Sequence, residues 1–544
     1  MLPMNTLLPN PDALSLAEQV AQMVVVRASG FLFDHEIRYP AWEPKAVVLQ
    51  RWVEDLGVGG VILLGASAGE IALRTQQLQD WARIPLLICA DVEEGVGQRF
   101  SGATWFPPPM SLAEIAQHDL ATACHYAEQM GKITAQEGLA IGLNWLLSPT
   151  VDVNNNPNNP VINVRAFGET PDIVSALACA FIKGAHTHRV LTTAKHFPGH
   201  GDTEIDSHLE LPIIPHDRTR LEEIELPSFQ AAIAAGVDSV MSAHLRIPAL
   251  DADYPATLSP KVLTETLRQK LGFEGLVSTD ALNMGAIANN YGTAEACVLA
   301  VEAGADILLM PLEPEKAIQA VCEAVESGRI SRDRIQASVE RIWRSKLKVC
   351  VAPTGEEDPH AWENLPAPAL EPQRLTQQIG QADAIATNAE MLLQSMKVYL
   401  PSPSRLDQKP EQGRNLILVD DLVDCDFLNR TAPAIVLPQQ FGFSQVEIVD
   451  RHTPTIHFDN QTKCPTLLQL FIRGNPFRGI AGLTKSAQNW FEFLLQTDQL
   501  QAIVLYGSPY VLDQFVPKLP ADVPYVFTFG QMQSAQAIAI DTLF

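Results

Sequence analysis

From residue 15 to about residue 350 the chain alternates short β-rich runs with amphipathic stretches, and this alternation constrains the fold more than any other feature. Apolar, β-branched runs stand at residues 23–27, 58–64, 86–91, 143–153, 191–196, 239–244, 276–280 and 306–310, which makes eight. Between them apolar residues recur at helical spacing, as over 71–81 and 112–134. Ser15 with Glu18 reads as a capping box that opens the first helix. A repeated strand–helix unit predicts a parallel sheet, and eight units predict a closed (β/α)8 barrel of TIM type. A doubly wound open sheet would give the same local pattern.

At 544 residues the chain exceeds what one hydrophobic core usually spans, so two domains are expected. Residues 351–372, rich in Pro and acidic side chains, read as a linker between a barrel over 1–350 and a second domain over 373–544. In that second part a helix is expected over 375–393. Strands are expected over 415–420, 434–437, 446–449, 467–472, 502–506 and 525–529. This predicts an α/β sandwich domain. Gly507, Ser508 and Pro509 follow a strand but lack the spacing and the Lys of a phosphate loop, so they read as a turn.

The formal charge of −25, with no Lys/Arg cluster, argues against a nucleic-acid partner and disfavours docking on an anionic membrane. The apolar stretch over 56–66 is far short of the ~18 residues that a membrane span needs. The eight cysteines are scattered, without a CxxC pair, and read as reduced, mostly buried small hydrophobes. The N-terminus lacks the basic and apolar regions of an export signal. Together these features lead to the expectation of a cytoplasmic protein.

Several of the predicted strands end on polar or ionisable residues: Asp91, Lys195–His196, His244 and Asp280. In a (β/α)8 barrel such ends form the active-site mouth. The densest segment is 195–208, KHFPGHGDTEIDSH, which carries His196, His200, His208, Asp202 and Asp206 with Lys195. Pro198, Gly199 and Gly201 forbid a regular helix there, so it is a shaped loop on a strand end. Its histidines and carboxylates suit a metal site, although the helical HExxH arrangement is missing. They equally suit acid–base catalysis, with Asp206 two residues before the imidazole of His208. Asp280 reads either as a helix cap or as a strand-end nucleophile. Two further segments, DVEEGVGQRF over 91–100 and the polar loop NNNPNNPVINVRAFGE over 154–169, bring acid and guanidinium groups that suit a polyhydroxylated ligand.

Together these four segments resemble glycoside hydrolase family 3, and within it the bacterial β-N-acetylglucosaminidases. The motifs that carry the resemblance are KHFPGHGDT-x-x-DSH, DVNNNPNNPVI with R-x-FG, and TDALNM; it spans nearly the whole barrel and, more weakly, the tail around VLYGSPYVL. The resemblance implies a retaining glycosidase with Asp280 as nucleophile and His208 as acid/base, partnered by Asp206. It implies that Asp91, Arg99, Arg165, Lys195 and His196 bind the terminal sugar and that Met241 and Met284 line its subsite. It implies a small carbohydrate substrate drawn from cell-wall fragments, and no metal or organic cofactor. The chain departs from the family at Glu94 and Gly97, where Gly and Val are usual, and at Asn163 and Ala166, where Gly and Ser are common. The rival readings are a family 3 β-glucosidase, a metal-dependent hydrolase using His196, His200 and His208, and a non-catalytic sugar-binding protein. Transfer to phosphate instead of water is also open.

Overall fold

A computed structural model describes residues 8–207, 210–350, 372–423, 425–453, 464–474 and 485–544. The 351–372 linker lies, but for its last residue, outside the described residues, and His208 lies outside them as well.

The first helix, Leu16–Gln22, opens on the expected box: the Ser15 hydroxyl accepts from Glu18 N–H and the Glu18 carboxylate accepts from Ser15 N–H at 2.8 Å. A second box, Ser67 with Glu70, starts the helix Ala68–Trp81. Each box satisfies backbone donors that a helix start leaves open. Between these helices run the apolar strands β1 (Val24–Ser29) and β2 (Gly60–Leu64), followed by β3 (Leu87–Ala90) and β4 (Trp145–Leu146). Then come β5 (Thr193–Phe197), β6 (Ser239–Ser242), β7 (Leu276–Ser278) and β8 (Leu308–Leu309). Strands buried on both faces need near-continuous apolar runs, as in β3, where all four residues are buried.

These strands form a five-stranded parallel sheet in the order β4-β3-β2-β1-β8 and a three-stranded parallel sheet in the order β5-β6-β7. Parallel bridges Trp145↔Leu191, Thr150↔Lys195 and Ser278↔Ile307 run between the two sheets. All eight expected strands are found, though β4 holds regular pairing for two residues where a run over 143–153 was expected. The segment 112–134 is two helices, Met110–Ala116 and Leu120–Ala140, with Asp119 capping the second through Thr122 N–H. Apolar spacing continues across that break because both helices face one core.

The second part is a six-stranded sheet, order β11-β10-β12-β13-β14-β9, from β9 (Lys397–Tyr399), β10 (Arg414–Val419), β11 (Gln445–Val449), β12 (Thr466–Ile472), β13 (Leu500–Gly507) and β14 (Tyr525–Thr528). β9 is the one antiparallel member and lies at an edge. Alternate residues of β10, β12 and β13 enter two cores: Leu416, Leu468 and Ile503 pack with Trp490 and Leu512, while Ile417, Leu467 and Val504 pack with Ala539 and Ile540. Helices Lys485–Gln496 and Pro509–Phe515 thus cover one face, and helix Gln533–Leu543 the other.

Residues 434–437 are not a strand. Pro433–Val436 is a short helix, because Pro at its start lacks an N–H for a sheet ladder and pre-sets helical φ. The helix over 375–393 is broken into Pro372–Gln378 and Ala382–Ser395 at Gly380, whose φ is +58°. Gly507, at φ +128°, ends β13 as a turn, with Pro509 opening the next helix. Of the cysteines, all are free thiols, but only Cys89 and Cys297 are fully buried; the other six are partly exposed. Among the described residues no helix is long and apolar enough to cross a membrane.

Candidate active site

Lys195 stands near the end of β5 with its side chain 1% exposed. A buried ammonium needs compensation, and two carboxylates from the loop after β3 supply it: Asp91 Oδ1 at 2.7 Å and Glu93 Oε1 at 2.6 Å. Glu93 is shared. Arg165 donates to it through Nε and Nη2, both at 2.7 Å, in the two-pronged geometry that guanidinium and carboxylate favour. Burial opposes the charge on Glu93, but Arg165 and Lys195 outweigh it and hold the carboxyl well below the usual carboxylate range. Burial likewise opposes the charge on Asp91, and Lys195 and Arg99 overcome it. The same pairing raises Lys195 and Arg165 against their own burial. Arg99 closes the loop by donating from Nε to the Asp91 carbonyl at 3.0 Å. Asp91, Glu93, Arg165 and Lys195 are therefore charged at neutral pH, and Asp91 keeps a partly exposed carboxylate, 28% accessible.

The next residue, His196, is held by Asp152: Nδ1 lies 2.7 Å from Asp152 Oδ2, and a carboxylate can only accept there. Asp152 also accepts from His200 N–H at 2.7 Å, so one buried carboxylate shapes both ends of the loop. Burial pushes the His200 imidazole down to about 4, and its ring nitrogens bond Thr203 Oγ1 at 3.0 Å and Ser207 Oγ at 2.9 Å. His200 is thus a neutral scaffold residue. Asn159 ties the polar loop to this one, donating to the His200 and Gly201 carbonyls at 2.8 and 2.9 Å. Asp206 is buried in the same loop.

Asp280 lies two residues beyond β7, on the same side as Asp91 and Lys195 because parallel strands present all their C-terminal ends together. Its Oδ1 accepts from Ala281 N–H at 2.7 Å. The helix that follows is Gly285–Tyr291, so Asp280 is not its cap. His244, from the end of β6, donates its Nε2–H to the Ala281 carbonyl at 3.0 Å and braces this segment. Met241 and Met284 are buried close by in sequence to β6 and to Asp280. Among the described residues no group of three or more His, Cys, Asp or Glu is arranged to hold a metal.

Glu93, Asp152 and Asn159 organise this site with His200, yet of these only His200 was singled out from sequence, and then as a candidate metal ligand. The signal for Glu93 and Asn159 was their position inside two of the four segments, and for Asp152 its place at the start of the motif DVNNNPNNPVI. The second domain also reaches in. Glu94, the departure from the usual Gly, is buried and accepts from Arg473 Nη2 at 2.6 Å and from Trp105 Nε1 at 2.8 Å. Tyr510 donates to Glu169 at 2.6 Å and accepts from Asn154 at 2.9 Å. Val161, Ile162 and Val164, which flank Arg165, pack into one core with β10, β12 and β13.

The sequence from residue 15 to 345 matches the model of the glycosyl hydrolase family 3 N-terminal domain. The chain belongs to glycosyl hydrolase family 3. Residues 406–544 match the bacterial glycosyl hydrolase family 3 C-terminal domain. β-Hexosaminidase A of Pseudoalteromonas piscicida is 34% identical over 334 residues, 55% of this chain and 55% of that protein. The chain thus spans little more than half of that relative. The β-N-acetylglucosaminidase/β-glucosidase of Cellulomonas fimi is 28% identical over 375 residues, 67% of this chain and 63% of that protein. The family 3 β-N-acetylglucosaminidase from Paenibacillus sp. str. FPU-7 superposes with a TM-score of 0.76 at 27% identity, covering 98% of this chain and 97% of that one.

Arg473 offers a direct test of the second domain's role in this family 3 chain. Arg473→Ala strands the Glu94 carboxylate in a buried setting beside Glu93. Removing one partner of a buried pair typically costs about 3–5 kcal/mol; with Arg473 partly exposed, a loss of about 2–3 kcal/mol and a raised KM are expected. Denaturation midpoints and steady-state kinetics check it, and Arg473→Lys should recover part of both. Unchanged KM in the Ala variant would show that the contact does not hold the 91–100 loop for ligand binding.

Proposed function

We propose that the chain is a retaining β-N-acetylglucosaminidase that releases non-reducing terminal β-linked N-acetylglucosamine. The observation that carries this reading is the charge-compensated cluster Asp91–Lys195–Glu93–Arg165 at the strand ends where Asp280 also stands. Carboxylates accept from sugar hydroxyls and the cations donate to them, so alternating signs match a polyhydroxylated ring. The names of the relatives from Pseudoalteromonas and Paenibacillus support the amino sugar.

In this reading Asp91, Arg99, Arg165, Lys195 and His196 hold the terminal sugar, and Met241 and Met284 wall its apolar side. Asp280 attacks the anomeric carbon while His208, partnered by Asp206, gives its proton to the leaving oxygen. Water then displaces Asp280 as His208 takes the water's proton. An imidazole thus stands where most retaining enzymes use a second carboxyl group. The two sheets and the bridges between them support one closed (β/α)8 barrel over 1–350. The helix-covered six-stranded sheet supports an α/β sandwich over 373–544 beyond a linker at 351–372. Cell-wall fragments in the cytoplasm are the proposed source of substrate.

Nitrophenyl β-N-acetylglucosaminide should be cleaved with higher kcat/KM than nitrophenyl β-glucoside. Preference for the glucoside would replace this reading with a β-glucosidase, the other activity in the name of the Cellulomonas relative.

A further inference from the structure

We propose that the end of the parallel strands away from Asp280 holds a binding site for a dianionic phosphoryl group, built on Arg341 with Arg268 and Arg334. The proposal does not depend on the sugar chemistry above. It starts from Asp306, which is fully buried two residues before β8. Gly275 and Asp306 precede β7 and β8, whereas Asp280 follows β7, so this cluster lies at the opposite end of the strands. Three arginines converge on Asp306: Arg341 Nη1 at 3.1 Å and Arg334 Nη1 at 3.4 Å on Oδ1, and Arg268 Nη2 on Oδ2.

The carboxylate is saturated. Its Oδ1 also accepts from Ser338 Oγ at 2.7 Å and its Oδ2 from Val277 N–H at 3.0 Å. Five donors thus share roughly four acceptor positions. Among the described residues no other carboxylate pairs with these arginines. Three cations face one anion, and two positive charges are left without compensation. At other buried pairs charge is matched: Arg27 faces Glu43, and Lys195 with Arg165 faces Asp91 with Glu93. Uncompensated buried charge is costly. Burial pushes Arg268 down to about 10 although Asp306 opposes it, and Arg341 and Arg334 add to the fall.

The spare donors have a defined shape. Arg334, Ser338 and Arg341 lie on one face of the helix Arg332–Val349. Arg334 is spent: its Nε donates to the Val301 carbonyl at 3.1 Å and its Nη2 to the Ala305 carbonyl at 2.7 Å. Arg341 donates through Nη1 alone, to Asp306 and to the Ala337 carbonyl at 3.3 Å. Among the described residues its Nε and Nη2 meet no acceptor, and its side chain is 23% accessible. That edge is the two-pronged one that Arg27 and Arg165 give to Glu43 and Glu93. A carboxylate ligand would return one of the two missing charges. A phosphoryl group carries about −1.5 to −2 at neutral pH and brings several strong acceptor oxygens. It therefore matches both the excess charge and the free edge.

Calorimetric titration of the full chain at constant ionic strength tests the site, with orthophosphate, glycerol 3-phosphate, glycerol and acetate as probes. Saturable binding of a phosphate probe is expected, about tenfold or more tighter than acetate, and none of glycerol. An ester that binds about tenfold or more tighter than orthophosphate identifies a phosphomonoester as the ligand; the reverse order, or similar affinities, identifies the free ion. Arg341→Gln should weaken phosphate binding by about tenfold or more, the scale of a charge-assisted contact. Arg341→Lys keeps the charge but not the fork and should lose less than the Gln variant. Lys183→Gln removes an exposed cation of the helix Pro171–Ala185 and should change binding by less than about twofold. Circular dichroism checks the fold of each variant, and if Arg341→Gln does not fold, Arg341→Lys carries the comparison. No saturable phosphate binding by wild type, binding that the Arg341 variants leave unchanged, or an equal loss in Lys183→Gln would overturn the site. Acetate that binds as tightly as phosphate would overturn the dianion.

Discussion

Asp280→Asn should abolish turnover, lowering kcat on the order of 10⁴-fold or more, the scale lost when other covalent catalysts lose their nucleophile. The fold should survive. The hydrogen bond that Asp280 Oδ1 accepts from Ala281 N–H is available to the amide oxygen of Asn as well. Ligand affinity should also survive, because the charge pairs of Lys195 and Arg165 do not involve Asp280. What disappears is the anionic oxygen that can form a bond to the anomeric carbon. In wild type, a slow substrate with an excellent leaving group should label Asp280 covalently, and mass spectrometry of the peptide locates the label. Labelling of another carboxylate would remove Asp280 from the nucleophile's role.

The next largest effect is expected at His208, and it should depend on the leaving group. Protonation matters most when the leaving oxygen is a poor anion. His208→Ala should therefore slow natural disaccharides by about 10²–10⁴-fold, the usual contribution of general acid–base catalysis. Glycosylation by activated aryl glycosides should slow much less. With those substrates hydrolysis of the intermediate becomes limiting, because no base deprotonates the attacking water. Azide needs no base, so it should accelerate that step and yield the β-glycosyl azide. Asp206→Asn should act in the same direction, since removing the carboxylate makes the imidazolium harder to form. Equal slowing of activated and unactivated substrates, with no effect of azide, would show that His208 is not the acid/base.

The strand–helix alternation carried most of the fold, because apolar periodicity and caps such as Ser15–Glu18 are complete within one element. Where the reading failed, the deciding contact was local but ambiguous or lay elsewhere. Residues 434–437 are apolar enough for a strand, yet Pro433 starts a helix that packs against Gln536 and the sheet. Of the six partly exposed cysteines, Cys124, Cys179 and Cys322 lie on helices and Cys350, Cys425 and Cys464 at a helix end or in loops, placements that composition does not reveal. At the site, the named residues were conspicuous because they crowd into short polar segments at strand ends. Lys195, Asp91 and Arg165 do assemble, and the partner that joins them, Glu93, was overlooked although it sits two residues from Asp91.

The sequence by itself determined the family, the eight strands and the polar loops in which the proposed site residues lie, since each of these signals is contained within a short run of neighbouring residues. Only the tertiary structure decided which charges neutralise one another. Lys195 meets Asp91 across 104 residues, and Arg473 meets Glu94 across 379. Such pairs follow from how parallel strands bring their ends together and from where the second sheet docks. The role of Glu94 is the clearest case. As a sequence it is a missing glycine in a familiar loop; in the structure it is a buried anion whose charge is compensated from the other domain.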